Sequence, residues 1–334
     1  MDGGYNMSKI KVFEAFSGYG SQSMALRNIG VDYEVVAISE VDKYAVKAYE
    51  AIHGKVNNLG DISKIDIKDI PEHDLFTYSF PCQDISTSGK GRGFAKNSGT
   101  RSGLLWECEK IIEHCKPKYL LMENVKNLLS VKHKADFDLW CDYLEGLGYT
   151  NYYKVLNSRD YGIPQSRERV FMVSILGSHE EYEFPKEKDL KISVRDLLES
   201  KVDSKYYLSD EMHERFVYQE SLSKSGVKRI GVASKNTKSQ AGRVISIDGV
   251  SMTICSGTHG YAIGYIADEN KNPLRIRRYT PKEAFRLMGL SDEDILKIQS
   301  CDISDTQQYK LAGNSIVVNV LEEIFGSLFK KKCI

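Results

Sequence analysis

Cys82 is the side chain of this sequence best placed to do chemistry. It follows Leu75-Phe76-Thr77-Tyr78-Ser79-Phe80, an apolar and β-favouring run that reads as a buried strand. Pro81 stops that strand, because it cannot donate to a ladder. A thiol at the carboxyl edge of an open α/β sheet stands where ligands bind. A core cysteine at a strand end is the plainer alternative on residue type alone. The next stretch of chain weighs against it: residues 86–101 hold Gly89, Gly91, Gly93 and Gly99 with Lys90, Arg92, Lys96 and Arg101 and no acid, which reads as a cationic lid.

Two further strand ends carry functional groups. Tyr119-Leu120-Leu121-Met122 is a buried run that ends in Glu123-Asn124-Val125. A carboxyl there is costly to bury unless paired or protonated, so Glu123 is a candidate acid. Tyr152 to Leu156 and Arg169 to Ile175 read as strands, with Tyr161-Gly162-Ile163-Pro164-Gln165-Ser166-Arg167-Glu168-Arg169 between them. Two-residue alternation puts Arg167 and Arg169 on one strand face, where they could present paired cations to one ligand; an exposed basic strand end is the other reading.

These groups need a scaffold, and the first half of the chain spells one out. Lys9 to Phe16 reads as a strand, Ser17-Gly18-Tyr19-Gly20 as a turn, and Ser21 to Ile29 as a helix. Strand, glycine turn and helix make a seat for a nucleotide-like cofactor, since backbone can approach it and helix N–H groups face it. Position 23 is Ser, so the dinucleotide glycine pattern is not met, and a nucleoside other than a nicotinamide cofactor is favoured. Val35 to Ser39 is a second buried strand with Glu40 at its end, about 20 residues past the glycines, where a carboxylate can accept both ribose hydroxyls or simply be a solvated charge. Asp61-Ile62 ends a short element, and Asp61 could pair an adenine amino group. Residues 102–115 and the run Phe137, Trp140, Cys141, Leu144, Leu147 have helical periodicity, with Gly148 as the stop of the second.

Composition narrows the class. Basic and acidic residues number 46 each, so formal charge is zero and any nucleic-acid surface must come from local clustering. No apolar stretch reaches the roughly 18 residues of a membrane span, and Met1-Asp2-Gly3-Gly4-Tyr5 is polar, so a cytosolic protein is expected. The seven cysteines form no CxxC pair, which argues against a zinc cluster or a disulfide framework, and no metal is expected. Cys108, Cys115 and Cys141 sit among apolar residues at helical spacing and read as core.

From about 178 the pattern changes. Glu180 to Lys188 is a charged linker, and Lys224, Lys228, Arg229, Lys235, Lys238 and Arg243 fall within 221–243 without an acid. Val244 to Ile247 reads as a strand, Asp248-Gly249 as a turn, and Lys271, Arg275, Arg277 and Arg278 add further basic charge. Thr280-Pro281-Lys282-Glu283 has an N-cap, a Pro at the first helical position and an acid at the third, so a helix starts there. Gly313-Asn314-Ser315 precedes a last amphipathic helix through Ile316, Val320, Ile324 and Leu328, expected to pack beside the first strand.

The order of these parts resembles the DNA (cytosine-5) methyltransferases, of bacterial or phage type. The resemblance is carried by Phe16-Ser17-Gly18-Tyr19-Gly20, Pro81-Cys82-Gln83, Glu123-Asn124-Val125, Gln165-Ser166-Arg167-Glu168-Arg169, Arg278-Tyr279-Thr280-Pro281-Lys282-Glu283 with the helix after it, and Gly313-Asn314-Ser315-Ile316-Val317, over residues 10 to about 325. It implies an α/β fold: a Rossmann-like S-adenosylmethionine-dependent sheet in residues 1–177, a smaller, mostly β or irregular target-recognition domain in 178–275, and a return to the catalytic domain in 276–334. It implies methyl transfer to C5 of a flipped-out cytosine, with Cys82 adding to C6, Glu123 holding a proton at N3, Arg169 meeting O2 and Arg167 in support. The cofactor pocket then takes Phe16, Gly18, Tyr19, Gly20, Glu40, Asp61, Ile62, Leu104, Asn314 and Ser315. Tyr19 stands where the family often has a smaller or aliphatic residue. Phosphate and base contacts are expected from Ser88, Lys90, Arg92, Arg101, Arg229, Arg243, Thr253 and Ile254, with Thr253-Ile254 similar to the family's Thr-Leu pair. The implied partner is double-stranded DNA, with no membrane, a monomeric chain and a restriction endonuclease counterpart; a phage or orphan epigenetic setting is the alternative. A tRNA methyltransferase would share Pro81-Cys82 and Glu123-Asn124-Val125, but a recognition segment of roughly 100 residues favours duplex DNA. A non-catalytic relative is expected to have lost the nucleophile, and an oxidoreductase explains neither Cys82 nor the basic segments.

Overall fold

The computed structural model describes residues 9–82, 85, 93, 102–233, 240–256 and 263–329. Ser88, Lys90, Arg92 and Arg101 lie outside them. The chain divides into two compact units, one holding residues up to 156, 168–185 and those from 321, the other holding 157–167 and 186–320.

The first unit is an α/β layer. Its elements are β1 (Ile10–Ala15), α1 (Ser21–Asn28), β2 (Tyr33–Ser39), α2 (Lys43–His53), β3 (Leu75–Tyr78), α3 (Leu105–Cys115), β4 (Tyr119–Val125), α4 (Lys134–Gly146), β5 (Tyr149–Asn157) and β6 (Glu168–Leu176). They form a sheet in the order β2-β1-β3-β4-β6-β5, parallel from β2 to β4 and antiparallel at β4 with β6. β3 and most of β4 are buried on both faces, which is why they read as continuous apolar runs and not as alternation. Strand order reverses direction between β1 and β3, and a crevice opens at the carboxyl ends on either side of such a switch. The glycine turn follows β1 there and Cys82 follows β3. The sheet is clamped by rings: Trp140 of α4 is 0% exposed and its Nε1 donates to the Tyr78 hydroxyl at 3.2 Å, so a large apolar burial leaves no polar atom stranded.

The second unit carries α5 (Asp210–Glu214), then β7 (Val217–Leu222), β8 (Lys228–Val232), β9 (Arg243–Ser246), β10 (Tyr265–Ala267) and β11 (Ile276–Arg277) in a sheet ordered β11-β10-β9-β8-β7. Helices α6 (Pro281–Arg286), α7 (Asp292–Gln299) and α8 (Asp305–Asn314) follow, and α9 (Val318–Phe329) runs into the first unit. α6 begins as its sequence requires: Thr280 and Glu283 form a reciprocal capping box with Pro281 in the first turn.

The division differs from the boundaries expected at 177/178 and 275/276. Residues 276–320 belong with 186–275, because β11 pairs with β10 and side chains of α6 and α8 are tied there: Glu283 Oε1 accepts from the Glu199 amide at 2.9 Å, Arg286 Nη1 donates to Leu197 O, and Asp305 Oδ2 accepts from the Tyr206 hydroxyl at 2.8 Å. Residues 157–167 join them through paired backbone bonds, Ser166 N to Ser251 O and Ser251 N to Pro164 O. The return to the first unit comes with α9, whose Glu322 accepts from Asn28 of α1 and whose Phe329 meets Tyr119 edge to face. No helix among the described residues is long and apolar enough to cross a membrane.

Candidate active site

Cys82 is half-buried beyond the end of β3, and the backbone around it is held from three sides. Asn124 Nδ2 donates to Phe80 O at 3.0 Å, Ser102 Oγ donates to Pro81 O at 2.6 Å, and the Ile85 amide donates to Cys82 O at 3.0 Å. Asn127 Nδ2 donates in turn to Ile85 O. The segment after the Pro81 break is thus positioned by β4 and the turn beyond it, which supplies the rigidity a nucleophile needs.

Glu123 stands at the end of β4, 9% exposed, with Arg169 Nε 3.2 Å from its Oε1. The antiparallel register makes this possible, since Val125 opposes Arg169 and Glu123 opposes Phe171, a diagonal within reach of long side chains. A carboxyl and a guanidinium are therefore paired on the same sheet edge as the thiol.

Arg167 does not share that edge with Arg169, a correction to the expected pair of cations. It precedes β6, is 4% exposed, and donates through Nη1 to Ile254 O at 2.7 Å and through Nη2 to Gly313 O at 3.0 Å and Ser315 O at 2.6 Å. A guanidinium saturating carbonyls from two distant segments is a strut of the second unit. Gln165 acts beside it, donating to Leu287 O and accepting from the Ile254 amide.

The turn after β1 is left-handed at Phe16 (φ 55°), Gly18 (57°) and Gly20 (82°). Gly20 is required twice over, by that φ and because a Cβ would meet His53 Nε2 at 2.5 Å and Tyr49 Cε2 at 2.7 Å. Tyr19 is 0% exposed, so its size relative to the family's usual residue is absorbed by the interior. Glu40 is tied to the turn: Oε2 accepts from Gly18 N at 2.9 Å, and Oε1 from Val41 N and Asp42 N at 2.8 Å. Burial pushes its carboxyl up and those three amides pull it back. Asp61 caps a short 3₁₀ turn through Ser63, which holds its carboxyl below the usual range, with buried Ile62 beside it. Leu104 packs partly buried against the main core. Asn314, exposed at the end of α8, and Ser315, 8% exposed, belong to the second unit.

Of the expected DNA contacts that are described, Arg229 in β8 and Arg243 at the start of β9 are half-buried. The Thr253 hydroxyl donates to Ser166 O at 2.6 Å and the residue is half-buried, whereas Ile254 is 0% exposed with its amide and carbonyl both taken, so the Ile254 side chain faces the interior. The sequence motifs included Asn124 and Gln165 without giving either a role, and Glu14 was not singled out. A lone carboxylate inside the apolar run of β1 was the signal for the last.

A family model described as C-5 cytosine-specific DNA methylase matches residues 10–330. The Type II methyltransferase M2.ScrFI of Lactococcus lactis subsp. cremoris is 40% identical over 97% of this chain and 100% of its own. The orphan methyltransferase M.SPBetaI of Bacillus phage SPbeta is 30% identical over 96% of this chain and 98% of its own. In the crystal structure of the S. pombe Dnmt2 methyltransferase the fold recurs, with a TM-score of 0.73 at 21% identity over 98% of this chain and 100% of that one. Likeness that extends from the first strand to the last helix makes this chain a member of the C-5 cytosine-specific DNA methylases, enzymes that methylate cytosine in DNA.

Proposed function

We propose that this enzyme methylates C5 of a cytosine flipped out of a specific duplex sequence, by way of a transient bond between Cys82 Sγ and C6. The observation that carries the reading is the sharing of one sheet edge by the Cys82 thiol and the Glu123–Arg169 pair. C5 of cytosine is a poor nucleophile, and thiolate addition at C6 makes it enamine-like. The ring then bears negative charge, which a proton held by Glu123 at N3 and the Arg169 guanidinium at O2 relieve. Loss of the C5 proton expels the thiolate and restores the aromatic ring. Arg167 supports the site by holding residues 254, 313 and 315 in place.

The glycine turn and Glu40 fit S-adenosylmethionine: the turn is left-handed at Gly18 and Gly20, where backbone can approach a ligand, and a carboxylate stands at the end of β2 for ribose hydroxyls. When bound, that cofactor supplies an electrophilic methyl group on a sulfonium. Phe16, Gly18, Tyr19, Asp61, Ile62 and Leu104 complete its seat on the first unit. Flipping the base costs a few kcal/mol, which phosphate contacts from Lys90, Arg92, Arg101, Arg229 and Arg243 offset, with Ser88 filling the vacated space. The type II name of the Lactococcus relative supports a restriction endonuclease counterpart, and the chain acts on its duplex as a monomer.

Duplex DNA treated with the enzyme and S-adenosylmethionine will carry 5-methylcytosine in one sequence context, read by sequencing the modified cytosines. Methylation of tRNA and not of DNA would overturn the substrate. Glu123→Gln will lower kcat by about 10²–10⁴ while the cofactor KM stays near wild type; equal kcat values would remove Glu123 from the chemistry. Affinity for duplex DNA will fall steeply with salt, with a log–log slope of about −3 or steeper if several phosphates are neutralised. A flat response would contradict the cationic contacts.

A further inference from the structure

Beneath the glycine turn lies a support that none of its assigned residues provides. Glu14 sits in β1 just before the turn and is 0% exposed. Its Oε1 accepts from Ser23 Oγ of α1 at 2.7 Å, and that hydroxyl lies 3.3 Å from the Tyr49 hydroxyl of α2. Tyr49 and His53 of α2 fill the space against Gly20, and His53 Nε2 is 3.2 Å from Tyr19 O. One carboxyl thus joins β1 to the first turn of α1 and to the helix on which the glycine turn rests. That turn holds Phe16, an aromatic residue in left-handed backbone, which persists only where the surroundings over-determine it.

The surroundings of Glu14 favour its neutral form. Oε2 is buried with no hydrogen-bond partner among the described residues, and so is Oγ1 of Thr77, the residue paired with Glu14 on β3. The ionisable groups facing it are Tyr49 from α2 and Tyr33 from β2, with Arg27 of α1 and His53 of α2 beyond them. Burial keeps both phenols neutral. β3 contributes only Thr77, and Ile38 is the paired residue on β2.

We propose that Glu14 in its neutral form is the positioning residue that keeps the turn at residues 16–20 in its cofactor-binding shape, and that ionising it releases the turn. The proposal rests on the reading that this turn seats S-adenosylmethionine. Burial pushes Glu14 up to about 7, opposed by the bonds from Ser23 and Tyr49. A carboxyl raised in the folded chain contributes stability that is full below its ordinary range, near 4.5, and is lost as pH rises through about 7.

The test uses the full chain and S-adenosylhomocysteine, with Kd measured calorimetrically at pH 6 and pH 8.5. The wild-type Kd should rise about 10-fold across that range as the competent fraction falls, while Glu14→Gln, neutral at both values, should change less than about 2-fold. The melting temperature of the ligand-free wild type should likewise drop with pH and that of Glu14→Gln should not. Infrared difference spectra of the wild type alone should show one buried protonated carboxyl lost between the two pH values, which keeps the proposal open to refutation even if the variant does not fold. An equal pH response in wild type and variant, or no titrating carboxyl, overturns it. Binding at neither pH overturns the cofactor reading and this proposal with it.

Discussion

Cys82→Ser will bind duplex DNA with near wild-type affinity and transfer no measurable methyl group. The hydroxyl of serine stays protonated where a thiol yields thiolate, and it is a far weaker nucleophile toward C6, so the step that activates C5 is lost. A loss of at least about 10³-fold is expected, comparable to removing the nucleophile from other covalent enzymes. Binding survives because the backbone bonds on Phe80, Pro81 and Cys82 come from Asn124, Ser102 and Ile85 and do not involve the sulfur. A duplex containing 5-fluorocytosine separates the covalent route from general loss of activity. Fluorine cannot leave C5 as a proton does, so the wild type should be trapped as a denaturation-resistant adduct and the Ser variant should not. An adduct formed by Cys82→Ser would sink the assignment of the nucleophile, and methyl transfer by that variant would sink the covalent mechanism.

Glu283→Ala will destabilise the second unit by about 3–5 kcal/mol, because it strands a buried guanidinium. Glu283 is 0% exposed and takes both arms of Arg277, at 2.7 and 2.8 Å, along with the amides of Glu199 and Thr280 at 2.9 Å. Removing it leaves a charge at 7% exposure and two amides without acceptors, and it deletes half of the capping box of α6. Thermal denaturation followed by circular dichroism should show the second unit melting roughly 10 °C lower. Replacing both partners together, as Arg277→Met with Glu283→Leu, should cost less, since no buried charge is stranded and only the amides of Glu199 and Thr280 lose their acceptor. If the single variant melts with the wild type, the pair is not what knits α6 to β11, and the placement of residues 276–320 in the second unit would need another cause.

The elements around the site were readable because their signals are local. β3 ends at Tyr78, within three residues of Pro81, and glycines make the turn after β1, and both signals act through the backbone of a few residues. The apolar runs of β3 and β4 announce strands covered on both faces. The proper partner of each polar side chain was another matter. Two-residue spacing suggested that Arg167 and Arg169 act together, yet Arg169 lies on β6 beside Glu123 while Arg167, just before the strand, reaches carbonyls at 254, 313 and 315. Alternation describes a strand only where the strand exists. Thr253 and Ile254 were expected at the DNA by likeness to a family pair; the Thr253 hydroxyl donates to Ser166 O, and Ile254 is wholly buried.

Chain order and residue type alone settled which chemistry is present: a thiol after one strand, a carboxyl after another, an arginine at the start of a third, and a glycine turn ahead of them all. Those features depend on near neighbours in the chain, so they are legible without coordinates. Folding decided which side chains face a common edge, which guanidinium became a strut, where one unit hands over to the other, and that a carboxyl in the first strand lies buried under the glycine turn. Each of these depends on residues tens to more than a hundred positions apart being brought within hydrogen-bond distance, and no local pattern encodes such a meeting.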